Sequence, residues 1–152
     1  MLEANQIVTL DLGAVYEGYV SDNRRLVYIG TVPESLKELH KKLCWVVAEM
    51  GKALKPGKTF GELHAYAFDL YAQICVDPMF LHVGHSLGLH VDEHWMMADD
   101  PTVIQKGMVL NIELYSFSDE AVMIGDEETF VVTDGEPEKL STLPVKIIER
   151  KF

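Results

Sequence analysis

Five side chains spread between positions 11 and 127 could act on one chemistry: Asp11, Asp22, His85, Glu113 and Glu127. Two aspartates, one imidazole and two glutamates make an oxygen-rich donor set, the kind that holds a pair of divalent cations. The imidazole lies in GHSLGLH, Gly84 to His90, where the glycines permit conformations or close approaches that other residues resist. His82, His90 and His94 flank it within thirteen residues, and histidine is the commonest transition-metal side chain near neutral pH. Asp11 in IVTLDL and Glu113 in GMVLNIELY are carboxylates in apolar company, and each calls for a partner.

Strands and glycine-rich turns must position these groups. In Ile7 to Leu12, alternation sets Thr9, Asp11 and Gly13 on the face opposite Val8, Leu10 and Leu12. The chain turns at Glu17-Gly18 and returns through VSDNRRLVYI. A spacing of eleven lets the two strands bring Asp11 and Asp22 to one end of the pairing, either around a shared cation or as unrelated surface carboxylates. Pro33 opens a helix with apolar residues at Leu36, Leu39, Leu43, Val46, Val47, Met50 and Leu54, ended by Lys55-Pro56-Gly57. Thr59 and Glu62 form a capping box for a second helix, closed at Asp77-Pro78. His40 and His64 read as surface or packing residues of these helices.

The next strand, Gly107 to Tyr115, turns Val109, Asn111 and Glu113 away from Met108, Leu110 and Ile112. Ala121 to Ile124 and Glu127 to Thr133 read as a hairpin-like pair, and Lys146 to Glu149 as a terminal strand. Strand period puts Glu127 and Glu128 on opposite faces, so alternation alone leaves either one open as the functional carboxylate.

At 152 residues the chain is expected to be a single domain, 1–152, with a full hydrophobic core. A net charge of -11 argues against a nucleic-acid partner, because a phosphate backbone would be repelled. No apolar run approaches the roughly 20 residues of a membrane span, and no signal peptide precedes the first strand, so a cytoplasmic location is expected. Most acidic residues, including those of DDPTV and SDEA, form a solvated surface. Cys44 and Cys75 sit in helical patterns with apolar neighbours and read as reduced core residues.

The order Asp, Asp, His, Glu, Glu, carried by LDLGAVYEGYVSD, GHSLGL, KGMVLNIE and EETFVVTDG, resembles the methionine aminopeptidase, Xaa-Pro aminopeptidase and prolidase metallopeptidases. Similarity runs from about Ile7 to Leu140, and the gap of fourteen between Glu113 and Glu127 favours the Xaa-Pro and prolidase branch. The resemblance implies the α+β pita-bread fold, here an incomplete antiparallel sheet with two helices packed on one face. It implies that Asp11 chelates one metal ion, Asp22 bridges two, His85 binds the second with Glu113 in support, and Glu127, rather than Glu128, bridges. Manganese or cobalt suits the set best, with zinc or iron as the other choices. A hydroxide between the ions would then attack the peptide bond of a short peptide.

Three departures bear on these expectations. A second histidine belongs seven residues after His85, where this chain has Asp92; His90, Asp92 and His94 are therefore the substrate-side candidates. Leu114 replaces a proline after Glu113, and Gly125 stands where an arginine is expected. The first half of the pita-bread domain is absent before Ile7, so the chain reads as the C-terminal portion of a catalytic domain. A dimer would supply missing surface, and the isolated chain would bind metal poorly. The alternatives are a non-catalytic binding module and a metal-dependent hydrolase of a non-peptide small molecule.

Overall fold

The β-branched string Ile7–Leu12 forms strand β1 of a computed structural model that describes residues 1–151. A short ribbon follows, β2 (Val15–Tyr16) and β3 (Tyr19–Val20), turning at Glu17-Gly18 where both residues have positive φ. Strand β4 (Asn23–Ile29) runs antiparallel to β1, with Asp11 opposite Arg24. Asp22 occupies the connection just before β4.

Helix α1 (Glu34–Ala53) buries Leu36, Leu43, Val46, Val47 and Met50, the face its apolar period marks out. Helix α2 (Phe60–Gln73) begins at the Thr59–Glu62 capping box, in which both reciprocal hydrogen bonds are made. It stops at Gln73, four residues short of the Asp77-Pro78 stop expected from sequence. Cys75 consequently lies outside the helix, exposed, with φ of 53°. Its helical neighbourhood ended one turn earlier than the apolar pattern suggested, so it is no core residue. Cys44, on α1, is a free, half-buried thiol.

Strands β5 (Gly84–Ser86), β6 (His94–Trp95), β7 (Val109–Phe117), β8 (Met123–Val131) and β9 (Glu138–Lys139) make one antiparallel sheet in the order β6-β5-β7-β8-β9. A single continuous β8 replaces the two segments anticipated over 121–133. Its register with β7 is unbroken from Val109–Val131 to Phe117–Met123, because Gly125 and Asp126 continue the ladder instead of turning. The last strand, β10 (Ile148–Arg150), starts two residues later than Lys146 and lies parallel to β4, so the sheet structure is mixed.

The helices cover one face of β7 and β8. Leu110, Ile112 and Leu114 of β7 join Leu43, Val46, Met50, Leu63 and Leu70 in one buried cluster. Gly51 lets α1 approach β8 closely, since any Cβ there would collide with the Phe130 ring. No helix among the described residues is long and apolar enough to cross a membrane. The β1 edge and the β2–β3 ribbon leave a run of apolar residues open: Leu12, Val15, Tyr16 and Tyr19.

Candidate metal centre

Residues directly opposite one another in an antiparallel ladder share a face. The pairs His85–Trp95, His85–Asn111, Asn111–Thr129, Glu113–Glu127 and Tyr115–Gly125 therefore put all these side chains on the side away from the helices. The intervening positions, Leu110, Ile112, Leu114, Asp126 and Glu128, turn under α1 and α2. Gly84, with φ of 143°, brings β5 against the Asn111 carbonyl so closely that a side chain there would strike it. That approach sets His85 beside β7.

The strand pair β1–β4 delivers the remaining carboxylates to this face. Carboxylate oxygens of Asp11, Asp22 and Glu127 all lie within 4.8 Å of one another. His85 Nε2 is 3.6 Å from Asp22 Oδ2. The Thr129 hydroxyl donates to the Asp22 carbonyl at 3.0 Å and pins the connection before β4 to β8. Asn111 Nδ2 donates to Glu127 Oε1 at 2.7 Å, and the Tyr115 hydroxyl reaches Glu113 Oε2 at 2.7 Å and Glu127 Oε2 at 3.2 Å. Glu113 Oε1 lies 3.3 Å from His82 Nδ1, but the angle makes no hydrogen bond, and both atoms are buried without a partner.

Electrostatics here are unbalanced. Glu113 and Glu127 stand directly across the ladder, an arrangement unfavourable for like charges. Burial raises the proton affinity of Asp22, and the neighbouring Asp11 charge adds to it. Glu113 is raised too, by burial first. Glu127 is pushed up to about 8 by burial and by the charges of Asp22, Asp11 and Glu113, against the lowering effect of the Asn111 hydrogen bond. Crowded, desolvated carboxylates with an orphaned oxygen at Glu113 are a donor set that a divalent cation satisfies.

Of the two adjacent glutamates, Glu127 faces this group. Glu128 faces the opposite way, 2.7 Å from Arg25 Nη2. The three substrate-side candidates do not join the five. His94 pairs with Ser86, on the face opposite His85, and its Nε2 is 2.7 Å from Asp100 Oδ2. His90 and Asp92 are exposed in the loop before β6, and neither side chain has a hydrogen bond or ion pair with the five. That loop is held by Glu93, whose Oε1 accepts from the backbone N–H of Leu89 at 2.8 Å and of His90 at 3.3 Å. Spacing from His85 could not reveal that the chain reverses here.

The rings beside the carboxylates are instead His82, stacked on Phe80 at 4.9 Å, and Trp95, 4.3 Å from His82 and 4.9 Å from His85. Extending the Asn111–Glu113 alternation by two positions would have found Tyr115. Trp95 carries no signal before its register with His85 is known.

Behind the same strand, His40, Cys44 and Asp126 cluster under α1, with ligating atoms within 4.8 Å of one another. Burial, then the Arg25 charge, lowers His40 from 6.5 to about 4. The folded chain thus binds fewer protons than the unfolded chain between these values, and stability falls as pH drops through the window. Asp126, raised to about 6 by burial and by Glu128, works in the opposite sense below pH 6, while the Cys44 thiol is raised and stays neutral. The imidazole contribution is therefore read as the difference between wild type and His40→Gln. Urea unfolding is expected to show that difference moving against the wild type by about 3 kcal/mol between neutral pH and pH ~4. A difference flat with pH would refute a buried neutral imidazole.

Residues 1–134 match the model of metallopeptidase family M24. Over 149 residues the chain is 30% identical to the Xaa-Pro dipeptidase of Pyrococcus horikoshii, covering 97% of this chain and 42% of that protein. The crystal structure of the X-Pro aminopeptidase from Thermotoga maritima superposes with a TM-score of 0.91 at 26% identity, over 98% of this chain and 42% of that one. The Xaa-Pro dipeptidase from Bacillus anthracis gives 0.89 at 26% identity, again over 98% and 42%. The fold is the pita-bread fold, and the chain spans about two fifths of the length of the proteins it matches.

Proposed function

Because the chain belongs to metallopeptidase family M24, we propose that it carries the metal-holding part of an Xaa-Pro peptidase, a hydrolase of the aminopeptidase P and prolidase kind. The observation that carries this reading is the meeting of Asp11, Asp22 and Glu127 within 4.8 Å, with His85 and Glu113 beside them and a buried oxygen of Glu113 unpartnered.

In this reading Asp11, Asp22, His85, Glu113 and Glu127 would together hold two divalent ions, Asp11 on the side of the first, His85 and Glu113 on the side of the second, with Asp22 and Glu127 serving both. Hard oxygen donors with a single imidazole favour Mn²⁺ or Co²⁺, with Zn²⁺ and Fe²⁺ next. Such ions polarise a scissile carbonyl and lower the pKa of water to near 7. Asn111 and Tyr115 hold Glu127 and Glu113 in place by hydrogen bonds that need no rearrangement during turnover. Phe80, His82 and Trp95 offer a partly exposed aromatic wall beside His85, suited to the ring of a prolyl residue in a short peptide.

Elemental analysis of the chain, run beside hydrolysis of Xaa-Pro dipeptides with added Mn²⁺ or Co²⁺, tests the reading. The expected result is weak binding that reaches two ions per chain at millimolar metal, with any release of the amino-terminal residue stopping on chelation. Absence of bound ion even at millimolar metal would overturn it. Metal without turnover would leave the centre standing and remove the peptidase assignment.

A further inference from the structure

Tyr115 stands directly across the ladder from Gly125, and its ring rests on the bare glycine. Any Cβ at position 125 would collide with Cδ1 and Cε1 of that ring. Laid flat there, the ring carries its hydroxyl to the carboxylates, 2.7 Å from Glu113 Oε2 and 3.2 Å from Glu127 Oε2. A phenol has one proton to donate, and the shorter contact makes Glu113 the principal acceptor.

Arg24 lies over the same ring, its guanidinium carbon 4.3 Å from the centroid. Nη1 is 3.7 Å from Asp11 Oδ2 and Nη2 is 3.4 Å from Thr9 Oγ1. The guanidinium is almost wholly buried, and its Nε has no hydrogen-bond partner. A buried cation needs compensation, and here the ring face and Asp11 supply it. Asp11 itself is half exposed, so the guanidinium is what opposes its rotation into solvent.

We propose that Tyr115 and Arg24, seated on Gly125, are a positioning unit for the metal centre: the phenol orients Glu113 and Glu127, and the guanidinium stacked on its ring orients Asp11. The inference rests on the reading of the five residues as metal ligands. Tyr115 is a positioning residue and not a ligand, because its hydroxyl is turned to Glu113 Oε2 and Glu127 Oε2 while Glu113 Oε1 remains unpartnered and free to bind. Glu127 accepts from Asn111 at Oε1 and only shares the phenol proton at Oε2, so both of its oxygens keep a lone pair to offer.

Tyr115→Phe keeps the ring on Gly125 and under Arg24 and removes only the hydroxyl. Co²⁺ is titrated into the 152-residue chain and followed by calorimetry and by the visible absorption of bound Co²⁺, beside the melting temperature of the metal-free protein. Tyr115→Phe is expected to weaken Co²⁺ binding by about 10- to 100-fold and to change the absorption, with the metal-free melting temperature nearly unmoved. Arg24→Lys keeps the charge, loses the planar stack, and is expected to weaken binding in the same direction; it decides the matter should Tyr115→Phe not fold. Wild-type affinity and spectrum in these variants, or a tighter or additional ion once the hydroxyl is gone, would overturn the proposal. Asp22→Asn separates the two levels. If it abolishes Co²⁺ binding while Tyr115→Phe changes nothing, the ligand reading stands and only the positioning unit falls; if the wild-type chain binds no Co²⁺, both fall.

Discussion

Glu127→Gln is expected to reduce divalent-metal affinity by more than about 100-fold, beyond the 10- to 100-fold typical of residues that only support a ligand. Glutamine has nearly the same shape and can still accept from Asn111, so the change removes the ionisable carboxylate and little else. In the metal-free protein the same substitution is expected to leave stability unchanged or raised. It takes away a buried carboxylate that faces Glu113 across the ladder and lies beside Asp11 and Asp22. Urea unfolding with and without Mn²⁺ reads both effects, because an ion that binds only the folded chain shifts its stability by mass action. The wild type should gain stability with metal and the variant should not. A variant that gains as much as the wild type would remove Glu127 from the ligand set.

Breaking the Arg25–Glu128 pair is expected to have the largest effect on folding, about 3–5 kcal/mol for either Arg25→Ala or Glu128→Gln. Both side chains are buried, and the guanidinium is also donor to the carbonyls of Arg24, Glu127 and Leu143 and to the Ser141 hydroxyl. It thereby fastens β4 to β8 and to the segment after β9. Removing the arginine leaves Glu128 charged beneath the helices, with Lys139 Nζ at 3.3 Å as its remaining cation among the described residues. The double replacement Arg25→Met with Glu128→Leu should lose less than either single change, since it removes the desolvated charges together. Denaturant midpoints at constant m-value give the comparison. Single variants within about 1 kcal/mol of wild type would show that the pair is not what joins the two sheets.

The two experiments also separate neighbouring residues that a sequence cannot tell apart. Glu127 and Glu128 are both buried, both in β8, and one residue out of phase. One should govern metal and not folding, the other folding and not metal. The period of a strand says that they point opposite ways, yet it contains nothing about which side faces the helices. That choice follows from Leu110, Ile112 and Leu114 entering the core with α1 and α2, which leaves Asn111, Glu113 and Glu127 on the outside.

Much of the frame is written locally. The capping box at Thr59, the apolar face of α1, and the shared face of Asn111 and Glu113 each depend on residues within a few positions of one another. Backbone geometry alone converts such patterns into structure. What the sequence misses lies beyond that range. The apolar pattern around Cys75 outlasts the helix, which stops at Gln73, and β8 runs unbroken through Gly125, the seat of the Tyr115 ring, where the sequence reads as two segments. The β5–β6 pairing sets Trp95 beside the His85 imidazole and turns His94 to Asp100, a placement that distance along the chain from His85 does not contain.

By itself, then, the sequence determined the helices, the alternation of its strands, and the order of two aspartates, a histidine and two glutamates that ties it to its family. Tertiary structure alone decided that Asp11, Asp22 and Glu127 converge within 4.8 Å, that Tyr115 and Arg24 join them, and which of two adjacent glutamates faces them. The reason is that periodicity reports the orientation of a side chain relative to its own backbone. Convergence depends on the registers of β1 with β4 and of β5, β7 and β8, which the packing of distant apolar residues selects.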